Sequence, residues 1–213
     1  MDFDIILSMQ NYIIGIDEVG RGPLAGPITV AAFAVTANHK FRILNPQLKK
    51  ILKNIKDSKQ LTPKKRLEWH NKLIKHAGLQ NIAISSIGSA TIDKISISVA
   101  ARLAVERCLK KMINNYGLKT VDCKILLDGS LYAPRIYQNQ KTIIKGDEKI
   151  PIIAAASIIA KVKRDRHMVR MHKKFPQYGF AIHKGYGTQF HQEAIKTHGL
   201  CAIHRRTFCK KFV

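Results

Sequence analysis

The chain has 213 residues, of which 46% are hydrophobic, so it can form one domain with a substantial core. Its 37 lysine and arginine residues against 14 acidic ones give a net charge of +23, which favours a polyanionic partner such as nucleic acid. A run of about 18 apolar residues is absent, which argues against a membrane span, and four cysteines without a CxxC pair argue against a disulfide framework.

The charge could also reflect binding to an anionic membrane surface, or a proteome that is basic throughout. The opening decapeptide MDFDIILSMQ has two acids and no base before a short apolar patch. This is not the pattern of a secretory signal, so we expect a cytoplasmic location.

The segment YIIGIDEVGRGPLAGP, residues 12 to 27, begins with an apolar strand over residues 12–16 that ends at Asp17 and Glu18. Adjacent strand residues point to opposite faces, so either the backbone twists there or the two acids have different roles. Two carboxylates beside an apolar strand repel each other and lose hydration, which favours a divalent cation between them. A solvated turn and an ion pair with Arg21 are the alternatives.

Gly20, Arg21 and Gly22 follow the acid pair, and Pro23 stiffens the exit from this turn. Glycine lets backbone amides approach a ligand closely, so the turn could bind a phosphate or a sugar hydroxyl. A short glycine-rich turn is by itself a weak signal.

The middle of the chain alternates strands and helices. We expect strands over residues 28–35, 81–87, 121–127 and 141–145, and the last two end at Asp128-Gly129 and Gly146-Asp147. Between the strands we expect a loop over residues 38–60 and two helices. The first helix runs from Lys64, with Thr62 as its N-cap and Pro63 in its first turn. The second has Thr91 as its N-cap and ends near Tyr116 and Gly117.

The C-terminal part is predicted to be helical. A helix from Pro151 to Lys174 is apolar in its first half and basic in its second half. The basic half is either a solvated face or a phosphate track, meaning a row of bases that binds the phosphates of a nucleic acid. The aromatic residues of FPQYGFAIHKGYG, residues 175–187, suit stacking on a sugar or base, or a buried turn. Seven bases form the candidate track: Lys161, Lys163, Arg164, Arg166, Arg170, Lys173 and Lys174.

After this loop, Thr188 caps a last helix that ends at Gly199, and a basic tail follows with Arg205 and Arg206. Four histidine and cysteine residues, which are types that can bind a metal, lie close together in this region. They lack the paired spacing of a structural zinc site, so zinc is a weak candidate. They are His198, Cys201, His204 and Cys209.

This element order predicts an α/β fold with a mixed sheet. We expect one domain over residues 1–213, with a core over about 12–150 and a helical C-terminal part over about 151–213.

Asp17, Glu18, Asp128 and Asp147 share predicted strand ends and could meet at one sheet edge. Oxygen ligands without histidine or cysteine suit Mg²⁺ or Mn²⁺ rather than zinc. Two such ions about 4 Å apart can activate a water and stabilise a leaving oxygen, as in metal-dependent nucleases. Taken singly, Asp128 and Asp147 would each be interpreted as turn acids.

Seven motifs, in this order, resemble those of bacterial ribonuclease HII: GIDEVGRGPLAGP, DSKQLT, LLDGS, KGDEKIP, AAASIIAKVKRD, FPQYGFAIHKGYGT and HRRTF. The match extends from about residue 13 to residue 208. The resemblance implies a ribonuclease H-like mixed β-sheet flanked by helices, with a helical C-terminal extension. It also implies cleavage of the RNA strand of RNA–DNA hybrids and cutting 5′ to ribonucleotides embedded in duplex DNA, leaving 3′-hydroxyl and 5′-phosphate ends.

The resemblance also implies residue roles. The four acids Asp17, Glu18, Asp128 and Asp147 would be the catalytic metal ligands, for two Mg²⁺ or Mn²⁺ ions. The backbone of Gly20, Arg21 and Gly22 would contact the 2′-hydroxyl, which separates RNA from DNA. Tyr186 would stack on the next deoxyribose, and Lys59 and Lys161 would hold phosphates. We expect a monomer.

Glu148 departs from the family pattern, because a small residue commonly follows the acid that matches Asp147. Its charge could tune metal affinity or point to solvent. The related ribonuclease HIII has an additional N-terminal domain and different residues around its acid pair, and we expect neither here.

Two alternative functions stay open. A junction resolvase with the same core would cut all-DNA substrates. A non-catalytic nucleic-acid-binding protein would bind without metal and tolerate Asp128→Asn.

Overall fold

The computed structural model describes residues 11–37, 43, 45–55, 58–116 and 123–212. At its centre is a five-stranded sheet: β1 (Asn11–Val19), β2 (Ile28–Ala37), β3 (Ile82–Ile87), β4 (Cys123–Asp128) and β5 (Gln140–Ile143). The spatial order is β3-β2-β1-β4-β5, with β2 antiparallel to β1 and β3, and with β1, β4 and β5 parallel. The predicted mixed sheet is therefore confirmed.

Helices cover both faces of the sheet and form the C-terminal part. None of those that the structure describes is both long and apolar enough to cross a membrane. They are α1 (Pro46–Lys53), α2 (Pro63–Ala77), α3 (Ser89–Ile95), α4 (Ile97–Tyr116), α5 (Gly146–Lys149), α6 (Pro151–Lys174), α7 (Phe180–His183), α8 (Gln189–His198) and α9 (Arg206–Cys209). Short 3₁₀ turns lie at Ser58–Gln60, Leu79–Asn81 and Pro176–Tyr178.

Helices α4 and α6 lie on opposite faces of β1 and β2, which are therefore buried on both sides. On the α6 face, alanines at 155 and 156 let the helix approach closely. The approach is so close that a Cβ at Gly15 of β1 would overlap the backbone of Ile152. Small residues thus place the start of α6 directly against the strand that carries Asp17.

The predicted loop over residues 38–60 is partly wrong, because it contains α1 and the turn Ser58–Gln60. Asn45 caps α1 by accepting a hydrogen bond from Leu48 N at 3.0 Å, and Pro46 starts the helix. The same cap-and-proline pattern correctly predicted α2 after Thr62. Residues 38–42, 44 and 56–57 of this stretch lie outside the described residues.

The helix predicted to start at Thr91 is two helices. Gly88 is the N-cap of α3, Thr91 lies inside it, and Ser96 separates α3 from α4 with a left-handed φ of 72°. Periodicity cannot reveal this break, because the apolar stripe continues across it. The predicted helix end at Gly117 and the predicted strand start at residues 121–122 lie outside the described residues.

The segment that follows β1 is attached to the C-terminal part. Leu24 N donates to Gly185 O at 2.8 Å, and Arg205 N donates to Leu24 O at 2.8 Å. A small core that includes Leu24, Tyr178 and Phe180 packs between the two regions. Helix α6 belongs to the predicted helical part but packs on the sheet of the predicted core. The division of the domain near residue 150 therefore stays a prediction.

Candidate active site

Three aspartates meet at the carboxyl ends of β1 and β4. The two strands are parallel neighbours, with Ile16 opposite Leu127, so the next residues, Asp17 and Asp128, lie side by side. Asp147 joins them from α5. One carboxylate oxygen from each of the three lies within 4.8 Å of the others. The structure thus brings together three of the four predicted acids.

Asp147 does not lie at a strand end, as the sequence pattern predicted. Strand β5 ends at Ile143, and Lys145, with a left-handed φ of 55°, leads into the single turn of α5. Asp128 Oδ1 accepts hydrogen bonds from Gly146 N at 2.6 Å and from Asp147 N at 3.4 Å. Asp128 therefore orients the turn that carries the third carboxylate.

Glu18 is not one of these three carboxylates. Its Oε1 accepts a 2.6 Å hydrogen bond from Arg21 Nε, so the expected alternative, an ion pair, is present. Its Oε2 is buried and has no hydrogen-bond partner in the described part of the chain. A buried carboxylate oxygen of this kind is available to a cation.

Burial raises the pKa of Asp17 well above its usual range, and the neighbouring Glu18 charge raises it further, against a hydrogen bond from Ser157. Burial also raises the pKa of Glu18, against its contacts with Arg21. Both carboxylates are thus costly to ionise in the protein alone. A hard divalent cation would offset this cost, and the oxygen-only donor set fits one.

The two lysines predicted to hold phosphates are both in ion pairs. Lys59 Nζ lies 2.7 Å from Asp147 Oδ2, and its side chain is 73% exposed while that of Asp147 is 2% exposed. Lys161 Nζ lies 2.9 Å from Asp165 Oδ1. The ammonium of Lys59 therefore supplies positive charge to the carboxylate cluster.

Glu148 points away from the cluster. Its side chain is 41% exposed, and its Oε1 lies 3.6 Å from Lys145 Nζ.

A cavity of about 380 Å³ contains most of the predicted site residues. Asp147 does not line it but contacts two residues that do, Asp128 and Lys59. Ser58 and Ser157, which the sequence interpretation missed, join their hydroxyls at 2.7 Å in its wall. The lining residues are Asp17, Glu18, Val19, Gly20, Arg21, Gly22, Ser58, Lys59, Asp128, Ser157, Lys161 and Tyr186.

The two glycines of the turn after β1 differ in their surroundings. Gly20 has a φ of 94°, and a Cβ there would overlap Arg164 Nε and the carbonyl of Pro27. Gly22 is exposed, and a Cβ there would meet nothing within 4 Å. Glycine at 20 is thus required by the fold, whereas Gly22 leaves open space for a ligand.

Two arginines hold this turn from behind, and both are fully buried. Arg164 donates to the carbonyls of Ala25, Pro27 and Lys184, and Arg205 donates to those of Gly20, Arg21 and Gly26. Arg164 therefore belongs neither to a solvated face nor to a phosphate track, the two alternatives for its run of bases, and Arg205 of the predicted basic tail is buried. One signal was available: Arg164 lies seven residues after the buried Ser157, on the same helix face.

Tyr186 lies at the rim of the cavity, 43% exposed, with its ring centroid 5.9 Å from Arg164 Cζ. A chain of histidines fixes its backbone. His191 Nδ1 donates to Tyr186 O at 2.8 Å, His191 Nε2 lies 3.0 Å from His204 Nε2, and Cys201 N donates to His204 Nδ1 at 2.9 Å. Aromatic residues Tyr178 and Phe180 of the same loop are buried.

The weak zinc candidate receives no support from this arrangement. His204 and Cys201 are used in the hydrogen-bond chain, Cys209 Sγ donates to Leu24 O, and His198 is exposed. In the part of the chain that the structure describes, three or more possible metal ligands converge only at the aspartates.

The histidine chain predicts acid sensitivity. Burial lowers the pKa of His191 and of His204 to about 4 from the ordinary 6.5, so unfolding takes up protons at acidic pH. This contribution to stability is complete above about pH 6.5 and is lost as the pH falls toward 4. We expect His191→Gln to flatten the fall of the thermal midpoint between pH 7 and pH 4, and the exposed His198→Gln to leave it unchanged. Equal slopes for His191→Gln and the parent would contradict this prediction.

The ribonuclease HII family model matches residues 14–211. The ribonuclease HII of Coxiella burnetii (strain Dugway 5J108-111) is 40% identical over 209 residues, covering 98% of this chain and 94% of the relative. That of Caldicellulosiruptor bescii is 42% identical over 203 residues, covering 95% and 89%.

Two solved structures have the same fold. The ribonuclease H2 from Pyrococcus horikoshii OT3 has a TM-score of 0.66 and 27% identity, covering 94% of this chain and 96% of its own. Bst-RNase HIII in complex with Mn²⁺ has a TM-score of 0.72 and 20% identity, covering 95% and 69%, and shows likeness of fold only. With the family match across almost the whole sequence, this chain belongs to the ribonuclease HII family, as a type 2 ribonuclease H that acts as an endonuclease on RNA–DNA hybrids.

Proposed function

We propose that this chain uses Asp17, Glu18, Asp128 and Asp147 to bind two Mg²⁺ or Mn²⁺ ions and hydrolyses phosphodiesters next to ribonucleotides. The substrates are RNA–DNA hybrids and duplex DNA that contains ribonucleotides. Cutting falls on the 5′ side of the ribonucleotide and leaves a 3′-hydroxyl and a 5′-phosphate. The observation that carries this proposal is one cavity of about 380 Å³ lined by Asp17, Asp128 and the Gly20–Gly22 turn together.

The carboxylates are held in place by their own neighbours. Asp17 Oδ1 accepts from Glu18 N at 2.6 Å, and Asp128 Oδ1 accepts from Gly146 N at 2.6 Å. Glu18 offers its buried Oε2. When bound, divalent ions in such a site lower the pKa of water and stabilise charge on a phosphoryl oxygen.

Lys59 and Lys161 would bind the phosphates of the nucleic acid. The ammonium of Lys59 lies at the end of a mostly exposed side chain, so it can leave Asp147 for a phosphate when a cation takes its place. Lys161 lines the same cavity and is partly exposed beside Asp165. Exchange of ion-pair partners would thus accompany substrate binding.

Selection of RNA over DNA would come from the Gly20–Gly22 turn, since only ribose presents a 2′-hydroxyl. Gly22 lets a sugar approach the backbone, and Tyr186 at the rim offers a ring face to the following deoxyribose. One chain supplies all of these residues, so we expect the monomer to be active.

The test is cleavage of three labelled duplexes of one sequence: an RNA–DNA hybrid, a DNA duplex with one ribonucleotide, and all-DNA. We expect cutting of the first two with Mg²⁺ or Mn²⁺ and none with chelator. Ligation and phosphatase treatment of the products identify the ends. Cutting of all-DNA would indicate resolvase chemistry, and binding without cutting would contradict the catalytic proposal.

Asp147→Asn and Glu148→Gln form a matched pair for this assay. The two acids are adjacent, but only Asp147 belongs to the buried cluster. We expect Asp147→Asn to abolish most cleavage and Glu148→Gln to retain it. Equal losses would show that the cluster has been assigned wrongly.

Replacing Gly22 by alanine separates recognition from folding. Because the added methyl group meets no protein atom within 4 Å, we expect an unchanged thermal midpoint. The methyl group would occupy the space proposed for the sugar, so we expect the cleavage rate to fall about tenfold or more. Gly20→Ala, where the backbone is left-handed, should also lower the thermal midpoint. Full activity of Gly22→Ala would contradict the proposed sugar contact.

A further inference from the structure

The buried Arg205 side chain donates hydrogen bonds to carbonyls within the Gly20–Gly22 turn. Arg205 Nη2 donates to Gly20 O at 2.6 Å and Nη1 donates to Arg21 O at 2.8 Å. Its Nε donates to Gly26 O at 3.0 Å. The flat guanidinium therefore fixes the carbonyls of two consecutive peptide groups.

Fixing these carbonyls also fixes two N–H groups. In a planar trans peptide the N–H points away from the C=O, and the peptides of Gly20 and Arg21 carry the N–H groups of Arg21 and Gly22. Their carbonyls face the buried Arg205, so the N–H groups face the other side. All three residues of the turn line the cavity.

We infer that Arg205 is a positioning residue for ribose recognition, because it holds the N–H groups of Arg21 and Gly22 toward the cavity as a preformed pair of donors. The pair suits an oxygen acceptor, and the 2′-hydroxyl oxygen is the acceptor that deoxyribose lacks. This inference rests on the proposed function and deepens it.

Arg164 provides a matched control. It is equally buried and also makes three hydrogen bonds to carbonyls, at 2.9 Å to Pro27, 2.9 Å to Lys184 and 3.1 Å to Ala25. None of these carbonyls belongs to the peptides that carry the N–H groups of Arg21 and Gly22. Loss of the three Arg164 hydrogen bonds should thus loosen the base of the turn without reorienting the N–H groups of Arg21 and Gly22.

The experiment compares Arg205→Lys with Arg164→Lys in an Asp128→Asn background that does not cut. Fluorescence anisotropy with Mg²⁺ gives the Kd for a duplex with one ribonucleotide and for the all-DNA duplex. The preference is the ratio of the all-DNA Kd to the Kd for the ribonucleotide duplex. We expect Arg205→Lys to reduce this ratio about tenfold, because that factor corresponds to the loss of one or two oriented hydrogen bonds. The all-DNA Kd should change less than twofold, because lysine keeps the charge. Arg164→Lys should keep the preference.

A preference unchanged in folded Arg205→Lys, or lost equally in Arg164→Lys, would overturn the inference. If Arg205→Lys does not fold, Arg205→Gln is used, with the same expected loss. Failure of both to fold would also overturn it, since Arg205 would then support the whole fold.

The proposed function has its own outcome in this experiment. If the unsubstituted chain does not cut the ribonucleotide duplex and the Asp128→Asn protein binds both duplexes equally, the proposed function is wrong and the inference falls with it. If the unsubstituted chain cuts the ribonucleotide duplex but adding Arg205→Lys to the Asp128→Asn protein leaves its binding preference unchanged, only the inference is wrong.

Discussion

Asp17→Asn is expected to make the metal-free protein more stable and the enzyme at least about a thousandfold slower. The loss of rate follows because a metal ligand in such a site supports about 4 kcal/mol of transition-state stabilisation, which corresponds to three powers of ten. The gain in stability follows because Asp17 is 4% exposed and lies beside Glu18 and Asp128. Asparagine keeps the acceptor for Glu18 N and removes the buried charge.

The pH dependence gives this prediction its sign. Because burial raises the pKa of Asp17 in the folded protein, its contribution to stability is complete below the unfolded value of 3.8 and is lost as the pH rises through the folded value. The advantage of Asp17→Asn in thermal midpoint should therefore be absent in acid and appear toward neutral pH. Thermal melts in chelator across this range measure it.

Asp93 provides a control of opposite sign. Burial raises its pKa, but hydrogen bonds from Thr207 and from the backbone of Arg206 outweigh burial and lower it. Asp93→Asn should therefore destabilise the protein at neutral pH and lose its effect in acid. A lower midpoint for Asp17→Asn at neutral pH would show that the charge of Asp17 is compensated within the protein, contrary to the prediction.

Short-range sequence patterns were sufficient to predict the positions of Asp17 and Asp128. A short apolar run that ends at an acid predicted where Asp17 and Asp128 lie, because parallel neighbouring strands bring their carboxyl ends to one edge. Asp147 was grouped correctly but placed on the wrong element. The left-handed Lys145 and the hydrogen bond from Gly146 N to Asp128 build its turn, and neither is visible in a sequence pattern.

The back of the site could not be predicted in this way. Arg164 and Arg205 lie in runs of basic residues, and a basic run is normally solvated. They are buried because backbone carbonyls between residues 20 and 27 need donors, and those carbonyls lie 137 to 185 positions away in sequence. Only the packing of the C-terminal part on the turn after β1 brings donor and acceptor together.

The second large effect is expected for Arg164→Met, which should lower the free energy of unfolding by about 3–5 kcal/mol. Replacing a buried ion pair with apolar residues can be neutral, because both charges leave together. The partners of Arg164 are instead three backbone carbonyls, which no side-chain substitution removes. Methionine fills the space of the arginine stem but leaves these acceptors buried without donors.

Urea unfolding of Arg164→Met and Arg170→Met measures this difference within one helix. Arg170 lies on α6 too but is exposed, so its replacement should change the free energy of unfolding by less than about 0.5 kcal/mol. Burial lowers the pKa of Arg164, which means that its charge is itself costly in the folded state. A neutral result for Arg164→Met would therefore mean that relief of the buried charge equals the loss of three carbonyl partners. A large loss would show that the hydrogen bonds to the turn outweigh desolvation.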